Sequence, residues 1–477
     1  MQSLPLKKYD CIIIGAGFSG LAAAVRLAHF NKKVCICEQH CRLGGLNSWY
    51  KKNGFEIDSG LHAMTNFTPH DGHKSLPLKK LLRQLRIPYE ALELCQQKQS
   101  SVIFPQGRLD FSNNFEMLKE SVCKLFPDDV DDFLKLDAYI RDYNGVDVDA
   151  SYNSTISMLK KKLKNDLLID MLLCPVSFYG SAWENDMDFG QFSIMYKSIF
   201  HEGFCVPAGG VQALIKLLKN RFIESGGILT DYKKSHIMHD KALLTNAPVK
   251  KILQNNGTVS GIELESGDIL ASDCVISSAG LLETLHLTDA VENSSFRPGS
   301  LGFTETIAFF ENNPVDYDDT IVFFSQKNRF DYSNPESLFS TNSGVICTPG
   351  NYNFLNENSK PEHQIRITLL ADYQKWAELD SEAYADMKSK TAVASLKTAA
   401  DIMNLKKFDT KLIDVFTPCT IKKFTGHLNG AIYGSPDKIK NGKTTIENLF
   451  LCGTDQGFLG ITGAMLSGIS IANMYAL

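Results

Sequence analysis

Three glycines close to the N-terminus are spaced for phosphate binding. The segment "YDCIIIGAGFSGLAAAVRLAHFNKKVCICEQ" holds Gly15, Gly17 and Gly20 as G-x-G-x-x-G. The apolar run Tyr9 to Ile14 before them predicts a strand, and Leu21, Val25 and Ala28 after them fall on one face of a helix. In such a turn the first glycine allows the sharp bend, the second lets a pyrophosphate approach the backbone, and the third lets helix and strand pack closely. The helix start adds free N–H groups and a partial positive charge. Ala16, Phe18 and Ser19 complete the turn and are expected at the same site. A second β-rich run, Val34 to Cys37, leads to Glu38 and Gln39. An acidic group about 20 residues past the first glycine suits ribose hydroxyls. An ordinary strand–helix–strand unit with a glycine-tolerant turn would need no such order, so dinucleotide binding is the expectation.

The next stretch, "QHCRLGGLNSWYKKNGFEIDSGLHAM", carries Arg42, the pair Gly44-Gly45 with Leu46, and then Gly54, Asp58, Gly60, Leu61 and His62. It resembles the extended fingerprint of the glutathione-reductase-type flavoproteins, in which a second glycine pair accompanies the first turn. That resemblance implies FAD rather than NAD. A second glycine-rich turn suits a ligand that continues past its pyrophosphate.

Two further segments point the same way. "GFCVPAGGVQALIKLLKNRFIESGGIL" predicts a loop around Pro207 and Gly209-Gly210, then a helix with Leu214, Leu217, Leu218 and Phe222 on its apolar face. The following run alternates like a β-meander over Val249 to Leu253, Val259 to Leu264 and Asp273 to Ser277, with turns at Asn255-Asn256-Gly257 and Ser266-Gly267. Near the C-terminus come Thr417-Pro418, Gly426, Gly430 and Tyr433-Gly434, a strand Asn448 to Cys452, and the stretch "GTDQGFLGITGAMLSGISIANMYAL". Together these resemble the phytoene desaturase, carotenoid isomerase and retinol saturase superfamily of FAD enzymes, to which monoamine oxidases are more distantly related. The resemblance covers the three cofactor-binding segments.

It implies that the strand at Val249 meets the adenine, that Val275 to Ser278 and Gly280 return to the nucleotide sheet, and that Gly453 and Asp455 reach the ribityl–phosphate part of FAD. It implies noncovalent FAD, since no cysteine stands at the glycine-rich position used for covalent attachment. It sets His62 near the isoalloxazine, where a proton could be handled, and Tyr433 beside the cavity; these two are the candidate catalytic side chains. Gly460, Ile461, Thr462 and Ala464 open a helix whose N-terminal amides can face the flavin's pyrimidine edge, where reduction leaves negative charge. Gly463, Ala464, Ser467 and Gly468 are small enough for that helix to press on the cofactor and the N-terminal sheet.

The elements that must position these residues define the expected fold: α/β, a glutathione-reductase-like Rossmann FAD domain with an inserted α+β substrate domain. The FAD domain is expected over 1–70, 205–290 and 413–477, and the substrate domain over 71–204 and 291–412. A chain of 477 residues exceeds one typical core. Within the substrate domain "TETIAFFENN" and "QIRITLLADY" alternate as strands. "KSLPLKKLLRQLRI" predicts a helix with Leu78, Leu81, Leu82 and Leu85 on one face and Lys79, Lys80, Arg83 and Arg86 beside it; "MLKKKLKNDLLIDMLL" repeats the theme. Peripheral membrane contact is one reading of such helices, and a solvated charged face is the plainer one. The aromatics Phe178, Tyr179, Trp183, Phe189, Phe192, Tyr196 and Phe200, with Met195, line an elongated apolar cavity or form plain core.

Composition narrows the class. A net charge of −5 gives no support for a nucleic-acid partner. Cys35 and Cys37 alternate with Val34 and Ile36, so with Cys41 they read as a buried strand and its flank rather than a metal site. No H-E-x-x-H or C-x-x-C spacing occurs, and no metal is expected. Scattered cysteines, no apolar signal core in "MQSLPLKKYD" and no apolar run of spanning length suggest a reduced cytoplasmic setting, with or without peripheral membrane association. The expected reaction is hydride transfer between flavin N5 and a C–C or C=C unit of an apolar isoprenoid or polyene. Desaturation, saturation and isomerisation all remain open. The rival readings are an amine or amino-acid oxidase on the same scaffold and a flavin-bound protein without turnover. His427 and Glu184 are weaker candidates.

Overall fold

The runs Cys11–Ile14 and Val34–Cys37 form short strands buried at every position, as continuous apolar runs do when a parallel sheet is covered on both faces. The computed structural model describes residues 8–60, 62–68, 76–288, 295–314, 317–356, 359–405 and 409–477. Among these, a parallel six-stranded sheet runs in the order Ile228–Asp231, Lys241–Thr245, Val34–Cys37, Cys11–Ile14, Val275–Ser277 and Leu449–Leu451. Its strands therefore come from three separate stretches of chain, and the architecture is α/β with a Rossmann-type sheet. Cys35 and Cys37 are buried within it, and no group of His, Cys, Asp and Glu among the described residues could hold a metal ion.

Helices Phe18–His29, Gly210–Glu224 and Gly460–Ile471 share one apolar core against this sheet. The helix Pro77–Gln84 joins the same core, burying Leu78, Leu81 and Leu82. Its leucine face is thus occupied by protein, while Lys80 and Arg83 face outward. Among the described residues no helix is long and apolar enough to cross a membrane. A smaller four-stranded sheet, ordered Lys8–Tyr9, Ile269–Ser272, Thr258–Leu264 and Val249–Asn255, holds the first two strands of the expected meander; its third strand is Ile269–Ser272, and Val275–Ser277 lies in the six-stranded sheet instead.

A seven-stranded sheet forms the second layer system, ordered Thr410–Phe416, Gly302–Phe310, Gln364–Ala371, Phe339–Cys347, Asp319–Ser325, Gln99–Phe104 and Gly107–Phe111. Its pairs are antiparallel except that of Asp319–Ser325 with Gln99–Phe104. Helices Asp166–Gly180 and Phe189–Tyr196 contribute to the core on one side. Helix Ser381–Met403 covers the other. Gly302–Phe310 is consequently buried along its whole length. Of the aromatics in residues 178–200, Phe189, Phe192, Tyr196 and Phe200 are interior core, and Phe178 and Tyr179 face a cavity.

Candidate dinucleotide cleft and adjoining cavity

A cleft of about 340 Å³ lies at the carboxyl ends of the central strands, where open α/β sheets bind ligands. Gly15, Gly17, Phe18 and Ser19 form its near wall, with Glu38, Gln39 and the Gly44-Gly45-Leu46 turn beside them. The glycine geometry is specific. A Cβ on Gly17 would meet nothing within 4 Å, whereas one on Gly20 would sit 2.1 Å from the Gly15 carbonyl oxygen. Gly17 thus leaves open space at the start of helix Phe18–His29, and no side chain caps that helix start. Gly20 closes helix onto strand. Ala16 is buried behind the wall; its N–H donates to Glu38 Oε2 at 2.7 Å, and the His40 N–H donates to Oε1 at 2.8 Å. Burial pushes the Glu38 carboxyl up, and these backbone donors pull it back.

The far wall comes from the other two stretches: Val249, Ser278, Gly280 and Glu283, then Gly453, Asp455 and Ala464. Asp455 is 2% exposed and fully engaged by protein. It accepts from the Leu281 N–H at 2.6 Å, the Ser435 N–H at 2.9 Å and the Lys438 ammonium at 3.1 Å. Burial pulls Lys438 down, and Asp455 pushes it back up. Asp455 therefore ties three loops of the wall together. Ser278, Glu283, His427 and Phe424 also line the cleft. His427 Nδ1 lies 3.5 Å from Glu283 Oε1. No motif marks Glu283 or Phe424 in the sequence, whereas Ser278 ends the segment expected to return to the nucleotide sheet. Glu184 is elsewhere, accepting from the Ser300 hydroxyl at 3.3 Å.

An adjoining cavity of about 190 Å³ shares Leu46, Asn47, Thr454 and Ala464 with the cleft. Its walls are mostly apolar, including Phe178, Phe303, Phe323, Ile432 and Leu459. Gly60, His62, Gly460 and Ile461 line it. His62 Nε2 lies 3.1 Å from Glu305 Oε2, an ion-pair distance without an aligned hydrogen bond. Glu305 is buried, which pushes its carboxyl up, but Arg366 and then His62 hold it down to about 2. The Tyr433 hydroxyl donates to the Phe178 carbonyl, and burial pushes its phenol up. Its proton is thus engaged by backbone.

The expected site residues Arg42 and Thr462 lie outside both spaces. Arg42 turns away, its guanidinium donating to the Trp49 carbonyl at 2.7 Å and stacking over the Trp49 ring at 4.7 Å. Asp58 accepts from the Val211 N–H at 2.9 Å, at the start of helix Gly210–Glu224. Thr462 is buried with its hydroxyl 3.5 Å from the Thr65 carbonyl. Leu61 lies outside the described residues. The last helix presses on the first helix within the core both share with the sheet: a Cβ on Gly468 would meet the Ser19 carbonyl oxygen at 1.9 Å.

Comparison with known proteins agrees with this geometry. Residues 13–85 match the NAD(P)-binding Rossmann-like domain. The chain is 23% identical to the all-trans-retinol 13,14-reductase of Danio rerio, over 97% of this chain and 86% of that protein. It is 21% identical to the 4,4'-diaponeurosporene oxygenase of Staphylococcus haemolyticus, over 90% of this chain and 88% of the other. Among solved structures, an oxidoreductase from Methanosarcina mazei superposes with a TM-score of 0.65 at 18% identity, covering 98% of this chain and 100% of that one.

Proposed function

We propose that the chain, which belongs to the phytoene desaturase, carotenoid isomerase and retinol saturase superfamily of oxidoreductases, binds FAD noncovalently and acts on C–C or C=C bonds of an apolar isoprenoid or polyene. The carrying observation is continuity: Leu46, Asn47, Thr454 and Ala464 belong both to the dinucleotide cleft and to the apolar cavity. A redox ring seated at that junction would touch an apolar ligand directly.

The residues present fit the cofactor. The open space at Gly17 and the uncapped start of helix Phe18–His29 suit a pyrophosphate. Each Glu38 oxygen accepts one backbone N–H and keeps capacity for a ribose hydroxyl. Val249 supplies the adenine wall. Helix Gly460–Ile471 also starts without a side-chain cap, so its first amides remain for the pyrimidine edge. When bound, FAD supplies hydride exchange at N5. The chain supplies the rest: apolar walls orient the substrate and exclude water. His62, beside the Glu305 carboxylate, is placed to exchange a proton with a ligand in the cavity, whereas Tyr433 serves as wall and latch.

The test is spectroscopic. Purified protein supplied with FAD should show visible flavin absorbance. After anaerobic photoreduction, mixing with polyene lipids should either reoxidise the flavin or yield an isomer without net redox change. Absent flavin binding overturns the reading, and peroxide formed only with amines replaces it with amine oxidation.

A further inference from the structure

Leu459 stands between two apolar spaces. One is the cavity of about 190 Å³ beside the cleft. The other is a chamber of about 310 Å³ walled by Val146, Ile194, Met195, Phe458 and Leu466. Leu459 lines both and is 8% exposed. It sits on extended backbone just before helix Gly460–Ile471. Gly180 makes room for it, since a Cβ there would lie 2.4 Å from Leu459 Cδ1.

The chamber's polar groups bond to one another or to neighbouring backbone. The Asn66 amide donates to Glu202 at 2.6 Å and to the Ser198 hydroxyl at 3.2 Å, and its oxygen accepts from the Thr65 hydroxyl at 3.0 Å. Gln191 donates to the Gly457 carbonyl at 2.9 Å, and Lys197 to the Tyr143 carbonyl at 3.1 Å. With these bonds made, the surface left to a ligand is mostly hydrocarbon. Size points the same way. The inner cavity, about 190 Å³, is below the roughly 300–1,000 Å³ of small-molecule sites. Joined to the chamber of about 310 Å³ it falls within that range.

We propose that Leu459 partitions a two-chamber binding site, and that the outer chamber takes the far end of an elongated hydrocarbon ligand whose near end lies by Gly60 and His62. This rests on the apolar-substrate reading above and adds chain length as the selected property. One side chain, swung aside, joins the two spaces, and Gly180 sets how tightly it is held.

The test measures binding of geraniol, farnesol and geranylgeraniol to FAD-loaded protein by fluorescence quenching. Affinity should rise by at least about tenfold from geraniol to geranylgeraniol, since each added methylene buries more apolar surface. Ile194→Trp fills the outer chamber and should remove that gain while geraniol binding stays within about twofold. Leu459→Ala should keep or increase it. Flavin content and circular dichroism confirm that the variants are folded. A length-independent affinity in the parent protein, or a gain that survives Ile194→Trp, overturns the two-chamber site yet leaves the apolar-substrate reading standing. If no prenyl alcohol binds at any length, that underlying reading fails and takes this proposal with it.

Discussion

Glu305 carries its charge inside the protein, at 7% exposure, because Arg366 at 3% exposure faces it from the neighbouring strand and His62 reaches it from the cavity side. Held down to about 2 from an ordinary 4.5, this carboxyl releases its proton more readily in the folded chain than in the unfolded one. The stability it contributes is therefore complete above about pH 4.5 and is lost as pH falls through about 2. The shift corresponds to about 3 kcal/mol. Urea unfolding of the parent and Glu305→Gln proteins should show a stability gap that narrows by that order between about pH 5 and pH 2. A constant gap would mean that the carboxyl does not titrate as a folded-state anion. Asp455 gives a second test. Asp455→Ala leaves the buried Lys438 ammonium without its carboxylate and should cost about 3–5 kcal/mol. Lys438→Met in the same chain should restore part of that stability. Asp455→Ala also removes the acceptor of the Leu281 and Ser435 N–H groups, so flavin content should fall with Asp455→Ala.

At the scale of elements, what the sequence made legible was local. Strand, glycine turn, helix and acid follow one another within residues 9–38, and each has a periodicity or a turn chemistry of its own. The last helix was legible too, through its small residues. Its partner was not, because the surface a small residue meets is set by tertiary packing. The seven-stranded sheet shows the same limit. Gly302–Phe310 and Gln364–Ala371 alternate well enough to be read, but nothing local announces that Asp319–Ser325 pairs in parallel with Gln99–Phe104. The leucines of Pro77–Gln84 mark an apolar face without naming the core they enter. Phe178 and Phe192 likewise belong to one aromatic run, yet one lines a cavity and the other is interior. The contact between last and first helix gives the prediction proper to this scale. Gly468→Ala places a Cβ against the Ser19 carbonyl and should cost at least about 1–3 kcal/mol by overpacking. The cost should appear as a lower melting temperature together with weakened FAD binding, since Ser19 lines the cleft. Unchanged melting and affinity in the Gly468→Ala protein would contradict the packing described.

The whole molecule is bound together at the cleft. Its walls come from residues 14–47, 249–287 and 424–464, stretches separated by the chain that builds the seven-stranded sheet. The adjoining cavity then takes Phe303, Phe323 and Thr368 from that sheet. A dinucleotide in the cleft thus contacts segments that the unfolded chain keeps far apart, and its binding energy should stabilise both layer systems. At a hundredfold excess over its Kd, FAD should add about 2.7 kcal/mol to the unfolding free energy. Trp376 reports the remote layer: it is fully buried, donates to the Leu338 carbonyl at 2.9 Å and packs edge-on against Tyr384. In a Trp49→Phe, Trp183→Phe protein its fluorescence isolates that region. With FAD present, the Trp376 transition should shift upward together with release of the flavin, in one step. A Trp376 transition indifferent to FAD would mean that the seven-stranded sheet unfolds independently of the nucleotide site. The cavity between them would then be a contact surface rather than a shared foundation.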